Sequence, residues 1–412
     1  MDIKQRFLGY TTINTTTNQK AGAAGIMPSS PGQIELGKRI VGELQAMTGL
    51  VDIEQRDNGI VTATLPANCA GNYPTVAFFG HLDTSSEHTG DTHAALIHYQ
   101  GGDIALGNGA VLTLKDNPDL NDYLGQEIFV TDGTSLLGAD DKAAIAAIMH
   151  ALHVLTTDTT IQHGEVKVAF VPDEEQGLLG ATAFNTPDFA DFGYTLDCCG
   201  IGEFVKENWN AGGAVITFHG QSAHPMNSKG NLKNSLLMAH DFISLFPRLE
   251  TPENTEGREG YYWMKKLEGN SAQTVLNIDI RDFTKEGYSQ RKIFVENACQ
   301  SFLNLYGEQS LSYKIADRYE NVSNYLENDL GQQAVQLAEQ AYASNGIKMK
   351  VIPMRGGYDG AVFSANGIPC PNIFTGAHNF HSINEYLPLP SLIAASNVVQ
   401  TIITQIAQGD DQ

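Results

Sequence analysis

Lysine and arginine are scarce in this chain of 412 residues, 25 against 47 aspartates and glutamates, for a formal net charge of −22. That balance repels nucleic acid and anionic membrane and argues against either as a partner. Cysteine is scarce too. Cys69, Cys198, Cys199, Cys299 and Cys370 are odd in number, scattered and without a CxxC pair. They form no disulfide framework and agree with a reducing compartment. No apolar run approaches the roughly 18 residues of a membrane-crossing helix. The N-terminal Met1-Asp-Ile-Lys-Gln-Arg-Phe-Leu8 carries charges where a secretory leader needs an apolar stretch. These absences lead to the expectation of a cytoplasmic protein.

What is present is a globular, turn-rich composition with 42% apolar residues and 41 glycines, long enough for about two domains. Apolar periodicity predicts helices over 2–10, 34–47, 140–156, 330–344 and 389–408. Short buried strands are expected at 75–80, 163–171, 192–197, 349–353 and 371–374, and the segment 85–130 carries no helix signal. Strand–helix–strand alternation argues for an α/β domain with a mixed, largely parallel sheet. Between its two parts, 1–207 and 321–412, residues 208–320 change grammar. Strand, helix, two paired strands, helix and strand follow in the ferredoxin-like α+β order, which reads as an inserted domain.

Chemistry-bearing residues recur where predicted strands end. His81 and Asp83 follow one strand, Glu174 and Glu175 another, and Asp197 closes a third. In parallel sheets functional groups gather beyond the carboxyl ends of the strands. Leu137-Gly-Ala-Asp-Asp-Lys-Ala143 sets adjacent carboxylates at the mouth of a helix. Asp140 or Asp141 also suits an N-cap, His81-x-Asp83 a loop ion pair, and Glu174-Glu175 a solvated strand end. In a metal site Asp83 would orient the His81 ring, and one glutamate would bind metal while its neighbour takes a proton. His81, Asp140, Glu175, Asp197 and His381 make a set of N and O donors that suits zinc-like ions. Calcium would want a denser acidic loop without histidines. Spacing alone does not join residues spread so far along the chain.

Gly80-His-Leu-Asp-Thr84, Leu137-Gly-Ala-Asp-Asp-Lys142, Pro172-Asp-Glu-Glu175, Tyr194-Thr-Leu-Asp197 and Phe374-Thr-Gly with His381 resemble the M20 family of di-zinc peptidases. Over nearly its whole length, including Ile280-Arg-Asp-Phe283 and Arg355-Gly-Gly-Tyr-Asp-Gly-Ala361, the chain is similar to the family's tripeptide aminopeptidases. The resemblance implies two Zn2+ per subunit, one held by His81, Asp140 and Asp197 and the other by Asp140, Glu175 and His381. It makes Glu174 the general base for a bridging water, and Asp83 the residue that orients His81. His224, in Ser222-Ala-His-Pro225, would serve the oxyanion in the partner protomer's site, which implies a homodimer and makes the inserted domain a lid and dimerisation domain. Arg281 and Arg355 would hold the carboxylate of a tripeptide with a free N-terminus. The rival within the same architecture is a deacylase or carboxypeptidase acting on N-acylated amino acids. From another class comes a non-catalytic acidic binding protein, disfavoured because every ligand position and Glu174 are present. Three departures from the family pattern, Cys198-Cys199, Tyr358 and Ala377-His378, bear on metal preference, oxidation or side-chain preference.

Overall fold

The computed structural model describes residues 1–186 and 188–408. It forms two compact units: Met1–Lys206 with Val322–Ile352 and Tyr358–Gln412, and Glu207–Asn321 with Pro353–Gly357. The Pro353–Gly357 stretch was expected with the first unit. It joins the second because the Met354 N–H donates to the Glu207 carbonyl and Arg355 donates to the carbonyls of Gly257 and Glu259.

In the first unit the chain builds an eight-stranded sheet in the order Val51–Gln55, Val61–Leu65, Val166–Val171, Val76–His81, Phe192–Cys198, Asn372–Phe374, Glu203–Val205 and Lys350–Val351. The four strands from Val166–Val171 to Asn372–Phe374 are mutually parallel. Val51–Gln55 and Val61–Leu65 are antiparallel on one side, and Glu203–Val205 is antiparallel to Asn372–Phe374 on the other. This is the mixed, largely parallel sheet the alternation predicts. Strand Val76–His81 is buried on both faces, as a sheet with helices on either side requires. Phe78 stacks on Tyr194 in one direction, and Phe79 stacks on Phe363 of helix Asp359–Ala365 in the other. A Cβ added to Gly80 would lie 3.1 Å from Asp141 Oδ2 and 3.3 Å from the Ala144 Cβ. Glycine there lets the start of helix Ala139–Thr157 close onto the strand end.

Helix Ala139–Thr157 is buried along most of its length and packs on helices Ile3–Thr11 and Leu389–Gln408. By length and composition Leu389–Gln408 is apolar enough to cross a membrane, at a mean hydropathy of 1.2. The sequence shows no such run because Ser, Asn, Thr and Gln interrupt it. Leu392, Ala395, Val398, Val399 and Ile402 are buried against helices Ala139–Thr157 and Asp329–Ser344, so its apolar face is a core face. Segment 85–130 contains no α-helix. Its strands Ala95–His98 and Glu127–Val130 pair antiparallel, and Glu127–Val130 also pairs with Tyr386–Pro388.

The second unit is an antiparallel sheet in the order Tyr261–Gly269, Gln273–Asp282, Asn210–His219 and Leu311–Tyr319. Helices Ser235–Ile243 and Lys285–Tyr306 pack on one face, over Ile216, Phe218, Leu276, Ile278, Phe242, Val295 and Phe302. Chain order and sheet order are those of a ferredoxin-like domain. Helix Lys285–Tyr306 begins after Thr284, whose hydroxyl caps it by accepting the Gly287 N–H at 2.9 Å.

Candidate metal centre

The C-terminal ends of the central parallel strands lie side by side, so His81, the Glu174-Glu175 turn and Asp197 arrive along one edge of the first unit. The first turn of helix Ala139–Thr157 meets them there. Gly138, at φ 75°, leads into Asp140 and Asp141, whose backbone angles are not helical and whose shared peptide is cis. Neither aspartate caps the helix. That role falls to Glu385, a buried residue far along the chain, whose carboxylate accepts the N–H of Gly138 at 2.8 Å and of Asp140 at 3.0 Å. Both aspartate side chains are thereby free to face the strand ends.

Asp140 stands between two imidazoles. His81 Nε2 is 2.8 Å from its Oδ1, and His381 Nε2 is 3.1 Å from its Oδ2. The same His381 nitrogen lies 2.9 Å from Glu175 Oε1. One ring N–H therefore faces two carboxylate oxygens, and Glu175 Oε1 is left without a proper hydrogen bond. Asp141 accepts the His81 backbone N–H through Oδ2 at 3.0 Å, while its buried Oδ1 has no partner. Ligand atoms of His81, Asp140, Asp141 and Asp197 lie within 4.8 Å of one another, as do those of Asp140, Glu175 and His381. The two sets share Asp140.

Neighbouring groups hold these ligands in place. The Asp83 carboxylate accepts the backbone N–H of Glu174 at 3.0 Å and of Glu175 at 3.1 Å. It thus braces the glutamate turn, with one oxygen also 3.4 Å from His81 Nδ1; the Asp83 carbonyl is nearer that nitrogen, at 3.1 Å. Asp173, at a left-handed φ of 56°, turns the chain out of its strand. Its carboxylate accepts from the Ser29 N–H at 2.8 Å, the Ser29 hydroxyl at 2.5 Å and the Gln33 amide at 2.8 Å. The Asp197 N–H donates to Asn372 Oδ1 at 2.7 Å. His381 has a φ of 62°, a strained backbone of the kind that concentrates at functional sites, and its Nδ1 faces Glu87 at 3.3 Å.

The charge balance of the cluster is lopsided. Among the described residues no lysine or arginine pairs with Asp140, Asp141, Glu174, Glu175, Asp197 or Asp359. Burial, with His81 opposing it and Asp359, Asp197 and Glu175 adding to it, holds Glu174 well above the carboxylate range. Burial chiefly, then Asp140, does the same for Asp197. Glu175 is pushed up to about 7 by burial and by Asp140. Asp140 is lowered because the His381 and His81 hydrogen bonds outweigh its burial. His381 in turn is raised to about 11 by Asp140 and then by Glu175. For His81 the attraction of Asp141 and the bonds to Asp140 and Asp83 outweigh burial and raise it well above its usual value. Protons on the two histidines occupy the place of the positive charge that the carboxylates demand. Buried oxygens without donors, two imidazoles and no basic side chain fit a pair of divalent cations.

A pH dependence follows for the metal-free protein. Glu175, Asp359 at about 7 and Glu385 at about 8 have folded values raised chiefly by burial, and both histidines are raised by their partners. Each of these groups holds its proton in the folded state after losing it in the unfolded one. Asp140 opposes them only below the free carboxylate value. The lowered His378, His150 and His153 oppose them up to the free histidine value, and Lys142 only above about 8. The raised carboxylates together with His81 and His381 outnumber them. Stability therefore falls as pH rises, from roughly the free carboxylate value upward. Melting of chelated protein between about pH 5 and about pH 9 should show the fall, and added Zn2+ should flatten it by replacing the protons.

The remaining candidates lie in the second unit. Arg281 donates to the Gly212 and Ile280 carbonyls at 2.9 and 3.0 Å and to Asp279 Oδ2 at 3.1 Å. Arg355 stands over the Trp209 and Tyr261 rings, at 4.9 and 5.6 Å, and donates to Thr255 Oγ1. His224 is exposed in a turn, its Nδ1 accepting the Met226 N–H at 3.2 Å. The departures from the family pattern have packing explanations. Tyr358 is fully buried with its hydroxyl on the Cys370 carbonyl, and burial pushes the Cys198 and Cys199 thiols up, away from reactive thiolate. His378 stacks on Tyr386 at 4.5 Å, accepts or donates at Tyr123 Oη, and is lowered to about 4 by burial. Asp141, Glu385, Glu87 and Asn372 were not anticipated as parts of the site. Only Asp141, adjacent to Asp140, had any signal in the sequence.

The family model "Peptidase family M20/M25/M40" matches residues 136–405, and that of peptidase family M28 matches 61–206. A peptidase T-like protein of Rhizobium meliloti (strain 1021) is 44% identical, with 98% of this chain and 99% of the relative covered. Among solved structures, aminopeptidase PepT of Bacillus cereus ATCC 10987 aligns with a TM-score of 0.76 at 20% identity over 98% of both chains. A tripeptidase of Staphylococcus aureus aligns at 0.74 and 22%, again over 98% of both. At those identities the two structures speak for the fold, while the sequence matches speak for descent. The chain is an enzyme, a metallopeptidase, and belongs to peptidase family M20/M25/M40.

Proposed function

We propose that this enzyme is a di-zinc aminopeptidase that releases the N-terminal residue of tripeptides, with Glu174 as general base. The observation that carries the reading is Asp140, shared by two donor sets in a buried, cation-poor cluster. The names of its relatives, peptidase T-like, aminopeptidase and tripeptidase, supply the substrate class. His81, Asp140 and Asp197 would hold one Zn2+, and Asp140, Glu175 and His381 the other. When bound, such a pair lowers the pKa of an attacking water and polarises the peptide carbonyl.

The chain's own residues do the rest. Glu174 takes a proton from the attacking water as oxygen adds to the carbonyl carbon, and returns it to the amine nitrogen as the C–N bond breaks. Its place suits that task. Asp83 fixes its backbone beside the ligand turn, no donor among the described residues occupies its carboxylate, and its raised affinity for a proton matches a group that must hold one in transit. Arg281 and Arg355 are assigned to the substrate carboxylate, and the exposed His224 to the oxyanion at a partner protomer's centre in a homodimer, on the strength of their motifs. All five cysteines are free, which suits a cytoplasmic setting.

The test compares free trialanine with its N-acetylated form, before and after chelation and with Zn2+ restored. Zinc-restored release of alanine and dialanine from the free peptide alone is the expected result. Cleavage of the acetylated peptide alone would place the enzyme among the deacylases or carboxypeptidases. Cleavage of neither would overturn the tripeptide aminopeptidase reading.

A further inference from the structure

We propose that Glu385 is the positioning residue of the metal centre, presetting Asp140 and His381 against each other before a cation binds. The inference rests on the ligand sets above and concerns a residue that ligates nothing. Its carboxylate is buried, and the nearby buried Lys142 donates from its ammonium to the Ile13 carbonyl at 2.8 Å and acts on Glu385 only through space. Backbone donors hold it instead: Oε2 accepts from Gly138 at 2.8 Å and Oε1 from Asp140 at 3.0 Å. These N–H groups belong to the kinked turn that leads into helix Ala139–Thr157 and have no partner within the helix, so the Glu385 carboxyl group satisfies donors that would otherwise be buried unpaired.

A local residue normally does this capping. Here it cannot. Gly138, at the capping position, has no side chain, and Asp140 and Asp141 are turned toward the strand ends. Capping from a distance therefore leaves both aspartates available to the centre.

The loop that carries Glu385 also carries His381, and it is tied at both ends of the short link between them. The Glu385 N–H donates to the Ser382 carbonyl at 3.0 Å, and Asn379 Nδ2 donates to the Asn384 carbonyl at 2.9 Å and to Asn117 Oδ1 at 2.7 Å. His378 and Tyr386 exchange backbone hydrogen bonds at 2.9 and 3.2 Å. With the loop closed on itself, gripping the Asp140 turn through Glu385 fixes where His381 stands relative to Asp140. Two ligands of one cation are thus registered by a group that touches neither side chain.

Glutamine at this position keeps the length and one carbonyl oxygen, but turns an amide N–H toward a backbone N–H, so one of the two donors loses its acceptor. The experiment measures Zn2+ affinity by competition with a chromophoric chelator for the wild type, Glu385→Gln and Glu385→Ala, with circular dichroism and melting of the metal-free proteins alongside. Outer groups that orient ligands are typically worth about 10- to 100-fold in metal affinity. A loss of that size is expected in Glu385→Gln, larger for the cation held by Asp140, Glu175 and His381. If Glu385→Ala does not fold, Glu385→Gln alone decides. A lower melting temperature with wild-type affinity would show a merely structural cap and overturn the inference. A wild type that binds two cations with a folded variant of equal affinity overturns it alone, whereas a wild type that binds none overturns the proposed function with it.

Discussion

Glu174→Gln should lower kcat by about 10²- to 10⁴-fold, the range general acid–base groups contribute, with little change in KM and unchanged cation content. The substitution keeps the shape and removes only the ability to take a proton. Glu174 belongs to neither donor set, so the ligands are untouched. Its backbone N–H still bonds to Asp83 at 3.0 Å, so the turn that carries Glu175 stays in place. Zinc content by elemental analysis and steady-state hydrolysis of a tripeptide, measured on one preparation, check both halves. Full activity in a zinc-loaded variant would sink the assignment of Glu174. Lost activity with lost zinc would mean that Glu174 ligates, and would transfer the role of base to another group.

Asp140→Ala should abolish high-affinity binding of both cations, and activity with it. Asp197→Ala, by contrast, should weaken chiefly the one held with His81. The asymmetry follows from the geometry: Asp140 presents Oδ1 to His81 and Oδ2 to His381, 2.8 and 3.1 Å away, whereas Asp197 joins only the first set. The loss at Asp140 should exceed the roughly 10- to 100-fold expected from outer groups, because a donor shared by both ions is removed outright. Isothermal titration with Zn2+ reads stoichiometry and affinity together. Retention of one tight site in Asp140→Ala would show that the sets do not share this carboxylate, and the paired-cation reading would fail.

Much of the site could be read from sequence because parallel sheets place the residues after each strand at a common edge. His81, Asp83, Glu174, Glu175 and Asp197 all follow short apolar runs, so each was placed by a pattern local to itself. His381 and Asp140 were different. Neither ends a strand with a clear signal, and only family motifs joined them to the rest. Even then the local reading of Asp140 and Asp141 as caps was reasonable. It gave way because a group more than two hundred residues on occupies the cap. No periodicity announces such a pairing.

The sequence by itself determined the element types, the parallel core, the ferredoxin-like insertion and the chemical nature of the donors. Those depend on the spacing of apolar residues and on which side chains carry N and O atoms, and both are local properties. Tertiary structure alone decided what the donors do. It put Asp141 against the His81 backbone, gave Glu385 the helix cap, made Asp83 a brace for the glutamate turn and moved Pro353–Gly357 to the second unit. Burial without basic partners then turned ordinary carboxylates into groups that hold protons or cations. The physical reason is that hydrogen bonds and charge interactions act over a few ångströms in space, at any distance along the chain.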